Sequence, residues 1–328
     1  VGMVSKYNQA HIFKVFMKSL YQYIINYLRQ YFDLKLYASI LCFLLIFITI
    51  NYTLDFEAKY IKTLSNLGVR SLIMSLFQGF PFLVTALFLN FFGKASKWQK
   101  DPRFWVTFLL GFLIIGLSRG IHWGLLMQWA LAPEDWFLLR SSINWAMKLT
   151  MVLALFGAFY LTFDTSLGHF YGFTFCKFNM SPYLTLLGIA LIFIIIGSFF
   201  GDLQSYYPRY KIAHGASFAA YHQVPAWVSI LIYEITYATS FITVEFIFRG
   251  FLIYAFVKYF GPYSILPMVA TYCFLHFGKP PTETLSSIFG GYVLGIVALK
   301  NKNIWGGVMV HVGVAWSMEL FGYLQTRF

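Results

Sequence analysis

Residues 182–200 read PYLTLLGIALIFIIIGSFF, nineteen residues without a charged side chain. Wound as an α-helix, such a run is about 28 Å long, close to the thickness of a bilayer's hydrocarbon core. Backbone polar groups in hydrocarbon have only one another as partners, so the run reads as a transmembrane helix. Eight further apolar segments accompany it, at about 36–52, 72–92, 104–131, 141–163, 226–259, 262–277, 285–299 and 304–324. Composition agrees: of 328 residues, 59% are apolar and 11% charged, where a soluble domain carries about 25% charged residues. A soluble globular enzyme, a disordered chain and a secreted disulfide scaffold are thereby excluded. The expectation is an all-α, polytopic helical membrane protein with eight or nine transmembrane helices.

The balance of 24 Lys+Arg against 12 Asp+Glu gives +12. These basic residues gather in short loops and at segment ends. They read as orientation signals and contacts with lipid headgroups, and no nucleic acid is expected. Lys6, Lys14, Lys18, Arg29 and Lys35 precede the first span, and Lys94, Lys97, Lys100 and Arg103 lie between the second and third. Glu134 and Asp135 follow the third. Alternating crossings then place the N-terminus in the cytoplasm, and the expected location is a bacterial plasma membrane. Residues 1–35 form no span. Ile12, Phe13, Phe16, Leu20, Ile24 and Leu28 recur at helical spacing among lysines, the pattern of an amphipathic helix lying on an anionic leaflet. No cleavable secretory signal is expected. The remaining organisation is a five-span region over 36–200, a polar connection over 201–225 and a C-terminal helical core over 226–328. Cys42, Cys176 and Cys273 show no metal-ligand spacing and read as inert thiols.

A charged side chain at the bilayer centre costs at least about 2.5 kcal/mol, so each needs a partner or a task. The C-terminal core holds Glu234, Glu245, Arg249, His276, His311 and Glu319 in or beside apolar runs, and the N-terminal half holds Arg119, His122 and Lys148. Glu245 and Arg249 stand four apart, acid first, the favourable order for a helical ion pair. Gly261-Pro262 is a turn signal. Glu245 lies 16 residues before Gly261 and His276 lies 15 after it, so an antiparallel hairpin sets both at similar depth. In the last segment Gly307, His311, Ala315 and Glu319 follow at intervals of four. Ser287, Gly291 and Gly295 in the preceding segment form a small-residue stripe of the kind that lets helices approach closely. Each feature also has a plain structural explanation: a packing ion pair, a core histidine, a glycine contact. Together, one glutamate and two histidines on three helices make a workable hydrolytic set, the carboxylate deprotonating water while a histidine polarises a carbonyl or relays a proton. Glu245, His276 and His311 could alternatively hold a zinc ion with an open fourth position, although no HExxH spacing is present.

These residues resemble the CPBP family, the CAAX-protease and bacteriocin-processing (Abi) intramembrane proteases. That family's motifs are Glu-Glu-x-x-x-Arg, Phe-x-x-x-His and His-x-x-x-Asn. They correspond here to Val244-Glu245 with Arg249, Tyr272 with His276, and His311 with Ala315. The resemblance covers about residues 226–324. It implies a helical membrane fold, endoproteolysis with Glu245 activating water, Arg249 orienting it, and His276 and His311 supporting the reaction. It also implies a membrane-embedded peptide substrate and membrane lipids as surroundings, with no certain cofactor and zinc only as an alternative. Three positions depart: Val244 replaces the first acid, Tyr272 the phenylalanine, and Ala315 the final amide, a candidate oxyanion donor. The alternative expectation is therefore a noncatalytic subunit of the same fold that holds a membrane partner protein. A proton-coupled transporter, with Glu234, Glu319, Lys148 and Arg119 paired as a relay, leaves the three motifs unexplained.

Overall fold

A computed structural model describes residues 19–325 apart from Ser96 and Phe200. Ten principal helices carry the fold: α1 (19–31), α2 (Leu34–Leu54), α3 (Leu67–Phe91), α4 (Pro102–Gly120), α5 (Pro133–Phe159), α6 (Ser181–Gly197), α7 (Ala226–Glu245), α8 (Ile265–Leu275), α9 (Pro281–Asn301) and α10 (Trp305–Gln325). No strand occurs among the described residues. Seven of the helices, or their continuations, are long and apolar enough to cross a membrane; α6 and α8 are shorter. The protein is an all-helical, multi-pass membrane protein.

Helix starts follow local chemistry. Asp33, Asn66 and Asp101 cap α2, α3 and α4 by accepting backbone N–H bonds in the first turn, which satisfies donors a helix otherwise leaves open. α5 opens at Pro133 with Glu134 and Asp135 in its first turn, where both the missing proline N–H and the negative charges are favourable.

Two segments differ from their sequence reading. The apolar run 104–131 is helical only to Gly120, after which come the single turns Trp123–Leu126 and Gln128–Ala130. The Gly120 carbonyl accepts a bond from Arg70 Nε at 2.6 Å, and a Cβ at Gly120 would overlap Ser71. A partner distant in sequence thus ends this helix. The run 226–259 is one long interrupted helix: α7 passes into a six-residue π turn, Phe246–Phe251, and resumes over Leu252–Tyr254.

Contacts sort the connections onto two ends. At one end Tyr52 reaches Lys279 and Thr284, Glu57 pairs with Arg119, and Glu319 accepts from the backbone of Arg209 and Tyr210. At the other, Lys94 pairs with Asp33, Lys258 with Asp164, and Tyr27 donates to the Pro262 carbonyl. In α1, Leu20 and Ile24 rest against Tyr183, Leu294 and Val310. Lys6, Ile12, Phe13, Lys14, Phe16 and Lys18 of the expected amphipathic helix lie outside the described residues.

The stripe of small residues does what its spacing predicts. A Cβ at Gly291 would press on the Tyr272 ring, and one at Gly295 on Met268 and Ile265. Glycine there seats α8 against α9, the way helices gain contact where lipid offers no hydrophobic drive.

Candidate active site

Glu245 is the last residue of α7, and Arg249 lies in the π turn that follows. A π turn inserted in an α-helix is uncommon and often marks a functional position. Both side chains are 0% exposed, with Arg249 Nη1 2.8 Å from Glu245 Oε1. From α10, His311 Nδ1 comes within 2.7 Å of the same oxygen. Gly307, one turn earlier, makes this approach feasible, since a Cβ there would overlap Glu245 Oε2.

From α8, the Tyr272 hydroxyl lies 2.6 Å from His311 Nε2. The Arg249 guanidinium stacks on the Tyr272 ring, 4.1 Å from its centroid, a geometry that attracts cation to ring. Phe241 stacks on the His311 imidazole. Hydrogen-bond directions follow from the chemistry. A carboxylate facing arginine is ionised and can only accept, so His311 Nδ1–H donates to Glu245. His311 Nε2 is then the ring's lone-pair nitrogen and accepts from the Tyr272 hydroxyl. One chain results: Tyr272 to His311 to Glu245, with Arg249 on the same carboxylate.

His276 adjoins this chain without entering it. It caps α8, and its Nδ1–H donates to the Tyr272 carbonyl at 2.9 Å. Its ring lies 4.4 Å from that of Tyr272, and among the described residues it bonds to neither Glu245 nor His311. Within the hairpin it is Tyr272, four residues earlier, that touches Arg249 and His311. Equal residue counts give equal depth only in uniform α-helix. Here a π turn interrupts one arm, and a 3₁₀ turn, Gly261–Ser264, opens the other.

The other interior polar residues serve elsewhere. Arg119 pairs with Glu57 at 2.5 Å, and Glu319 accepts two backbone N–H bonds from the turn Arg209–Ala213. Burial, with Lys148, Arg140 and Arg70 nearby, pushes His122 down to about 4, so its ring is neutral near pH 7. No pairing of Glu234, Glu319, Lys148 and Arg119 joins them into a relay among the described residues.

The zinc reading does not fit the residues. Among those described, no three His, Cys, Asp or Glu side chains converge as metal ligands. Both nitrogens of His311 are already committed, one to Glu245 and one to Tyr272.

Tyr272 is the participant that the residue types alone understate. Its signal is its place one turn before His276, where the resembled family carries a phenylalanine that has no hydroxyl to donate.

Residues 225–317 match the family model described as type II CAAX prenyl endopeptidase Rce1-like. The resemblance carried by the three motifs holds over this segment, which contains Glu245, Arg249, Tyr272, His276 and His311. No curated protein and no solved structure matches the chain.

Proposed function

We propose that the protein is an intramembrane endopeptidase of the CAAX type, with Glu245 as its general base. The observation that carries this reading is the buried chain Tyr272–His311–Glu245–Arg249, which joins three helices inside the matched segment. Arg249 lies against the carboxylate as its counter-charge. Oε1 is occupied by Arg249 and His311, whereas Oε2 makes no hydrogen bond to the protein. In this reading Oε2, packed against Gly307, takes a proton from a water that enters with the substrate, as the water oxygen attacks the peptide carbonyl. The proton passes to the amine that leaves when the C–N bond breaks. Glu245, protonated in the first step, returns the proton to that amine, while His276, its Nδ1–H on the Tyr272 carbonyl, holds the end of α8 beside the chain. With Ala315 lacking a donor, the Arg249 guanidinium is the cationic group beside the developing oxyanion.

The orientation rests on the first loops: Lys94, Lys97, Lys100 and Arg103 between α3 and α4, with Arg29 and Lys35 before α2, favour a cytoplasmic side for the end at which α2 begins.

The test is cleavage, by the purified protein in liposomes, of a prenylated peptide ending in a CAAX sequence and of an unlipidated membrane peptide. Wild type is expected to cleave at least one. Glu245→Gln is expected to lose about 10³-fold in turnover per folded molecule, within the span of general-base effects, and also about 3–5 kcal/mol of stability, because Arg249 stays buried without its acid. His276→Ala is expected to lose less. Equal turnover in Glu245→Gln, or no cleavage of either peptide by wild type, would overturn the reading in favour of a noncatalytic subunit that holds a membrane partner.

A further inference from the structure

A groove between α2, α3 and the end of α8 takes no part in the chemistry above. It encloses about 350 Å³ and is lined by Phe47, Ile50, Ile73, Phe77, Phe274 and Phe277, among others. That is the size of a small-molecule site. Asn51 is the one polar residue in its wall, and its side-chain oxygen already accepts from the Glu57 N–H. Ile50, Leu76 and Phe80 belong to the wall and are exposed on membrane-crossing helices, so the groove opens toward acyl chains. Residues two apart on a helix point about 200° apart. Phe274 therefore faces the groove while Tyr272 and His276 face the other way, and α8 stands between the groove and Glu245. A peptide held at Glu245 does not reach it.

The groove ends against unbalanced positive charge. Ile61 lines it, and Lys62 follows, half-exposed and 3.5 Å from Glu57 Oε1. Arg119 shares that carboxylate, and its Nε has no partner. Arg70 bonds the carbonyl of the adjoining Gly120. Two cations thus share the single carboxylate of Glu57 among the described residues. Positive charge at membrane depth calls for an anion.

We infer that the groove binds one acyl chain of an anionic phospholipid, with the phosphate held at Lys62 and Arg119. The chain and the headgroup then meet complementary surfaces in the order in which a bilayer presents them. This site is separate from Glu245 and stands whether or not the protein cleaves peptides.

The experiment uses the purified full chain with phosphatidylglycerol or phosphatidylcholine carrying a diazirine on one acyl chain, followed by peptide mapping. Labelling by phosphatidylglycerol is expected on the α2 and α3 segments around Phe47 and Phe77. It should exceed labelling of the lipid-exposed α4 segment around Leu109 by at least fivefold. Ile73→Trp, which fills the groove, should abolish the excess, while Leu109→Trp should leave it intact. Lys62→Gln should narrow the preference for phosphatidylglycerol over phosphatidylcholine about threefold. Labelling of α4 equal to that of α3, or an undiminished signal in Ile73→Trp, would overturn the site. Equal capture of the two lipids by wild type would overturn the role given to the cations.

Discussion

Glu57 and Glu245 are both all but inaccessible, and each lies against an arginine: Arg119 at 2.5 Å and Arg249 at 2.8 Å. Their second partners differ. Glu57 sits in the turn between α2 and α3 with Lys62, and its own N–H is tied to Asn51. Lysine and arginine stay charged at any ordinary pH, so this cluster fixes the turn and changes no protonation state. Glu245 instead reaches an imidazole and, through it, a phenol. An imidazole has both a donor and an acceptor nitrogen, so it can pass a proton along such a chain. A buried acid–arginine pair is by itself a structural feature; the partner that titrates is what makes one of the two a candidate for chemistry.

The sharpest way to break that comparison is Gly307→Ala. The added methyl would overlap Glu245 Oε2. Turnover should fall by about 10²-fold, and stability by about 1–3 kcal/mol, the usual cost of overpacking. Normal turnover in this variant would mean that the carboxylate is not used where it lies. Glu57→Gln should act on folding alone. Breaking a fully buried pair costs about 3–5 kcal/mol; with Arg119 partly exposed and Lys62 half-exposed, about 2 kcal/mol is expected, read as a lower melting temperature. A collapse of turnover out of proportion to that loss would erase the distinction between the two acids. Tyr272→Phe restores the residue of the resembled family and removes one hydrogen bond to His311. About a tenfold fall in turnover is expected, in line with about 1.5 kcal/mol for a single buried bond, with the fold unchanged. An unaltered pH–rate profile would show that the phenol is a spectator.

Much of this was legible in the residues. Long uncharged runs report spans because lipid leaves backbone groups no outside partner, and the nine apolar runs all contain helices. Glu245, Arg249 and His311 were identifiable as charged or titratable groups in apolar helices, and the structure joins them. What was hidden depended on distant partners. Gly120 ends α4 because Arg70, fifty residues earlier, takes its carbonyl. The π turn after Glu245 has no residue signature, and it is Tyr272 rather than His276 that meets His311 and Arg249. Glu57 stood in a short polar turn and gave no sign of burial, which arises only when α4 brings Arg119 against it.

α8 stops at Leu275, and the His276 carbonyl accepts from Thr284 Oγ1, whose hydroxyl in turn meets that of Tyr52 on α2. Tyr52 also donates to the Lys279 carbonyl. The loop bearing the second motif is therefore clasped by a helix that lies outside the matched segment 225–317. Cutting the molecule at residue 225 would release that clasp. The preceding helices act as a brace for the reactive half, and grafting the last hundred residues onto another anchor would leave His276 without its outer support.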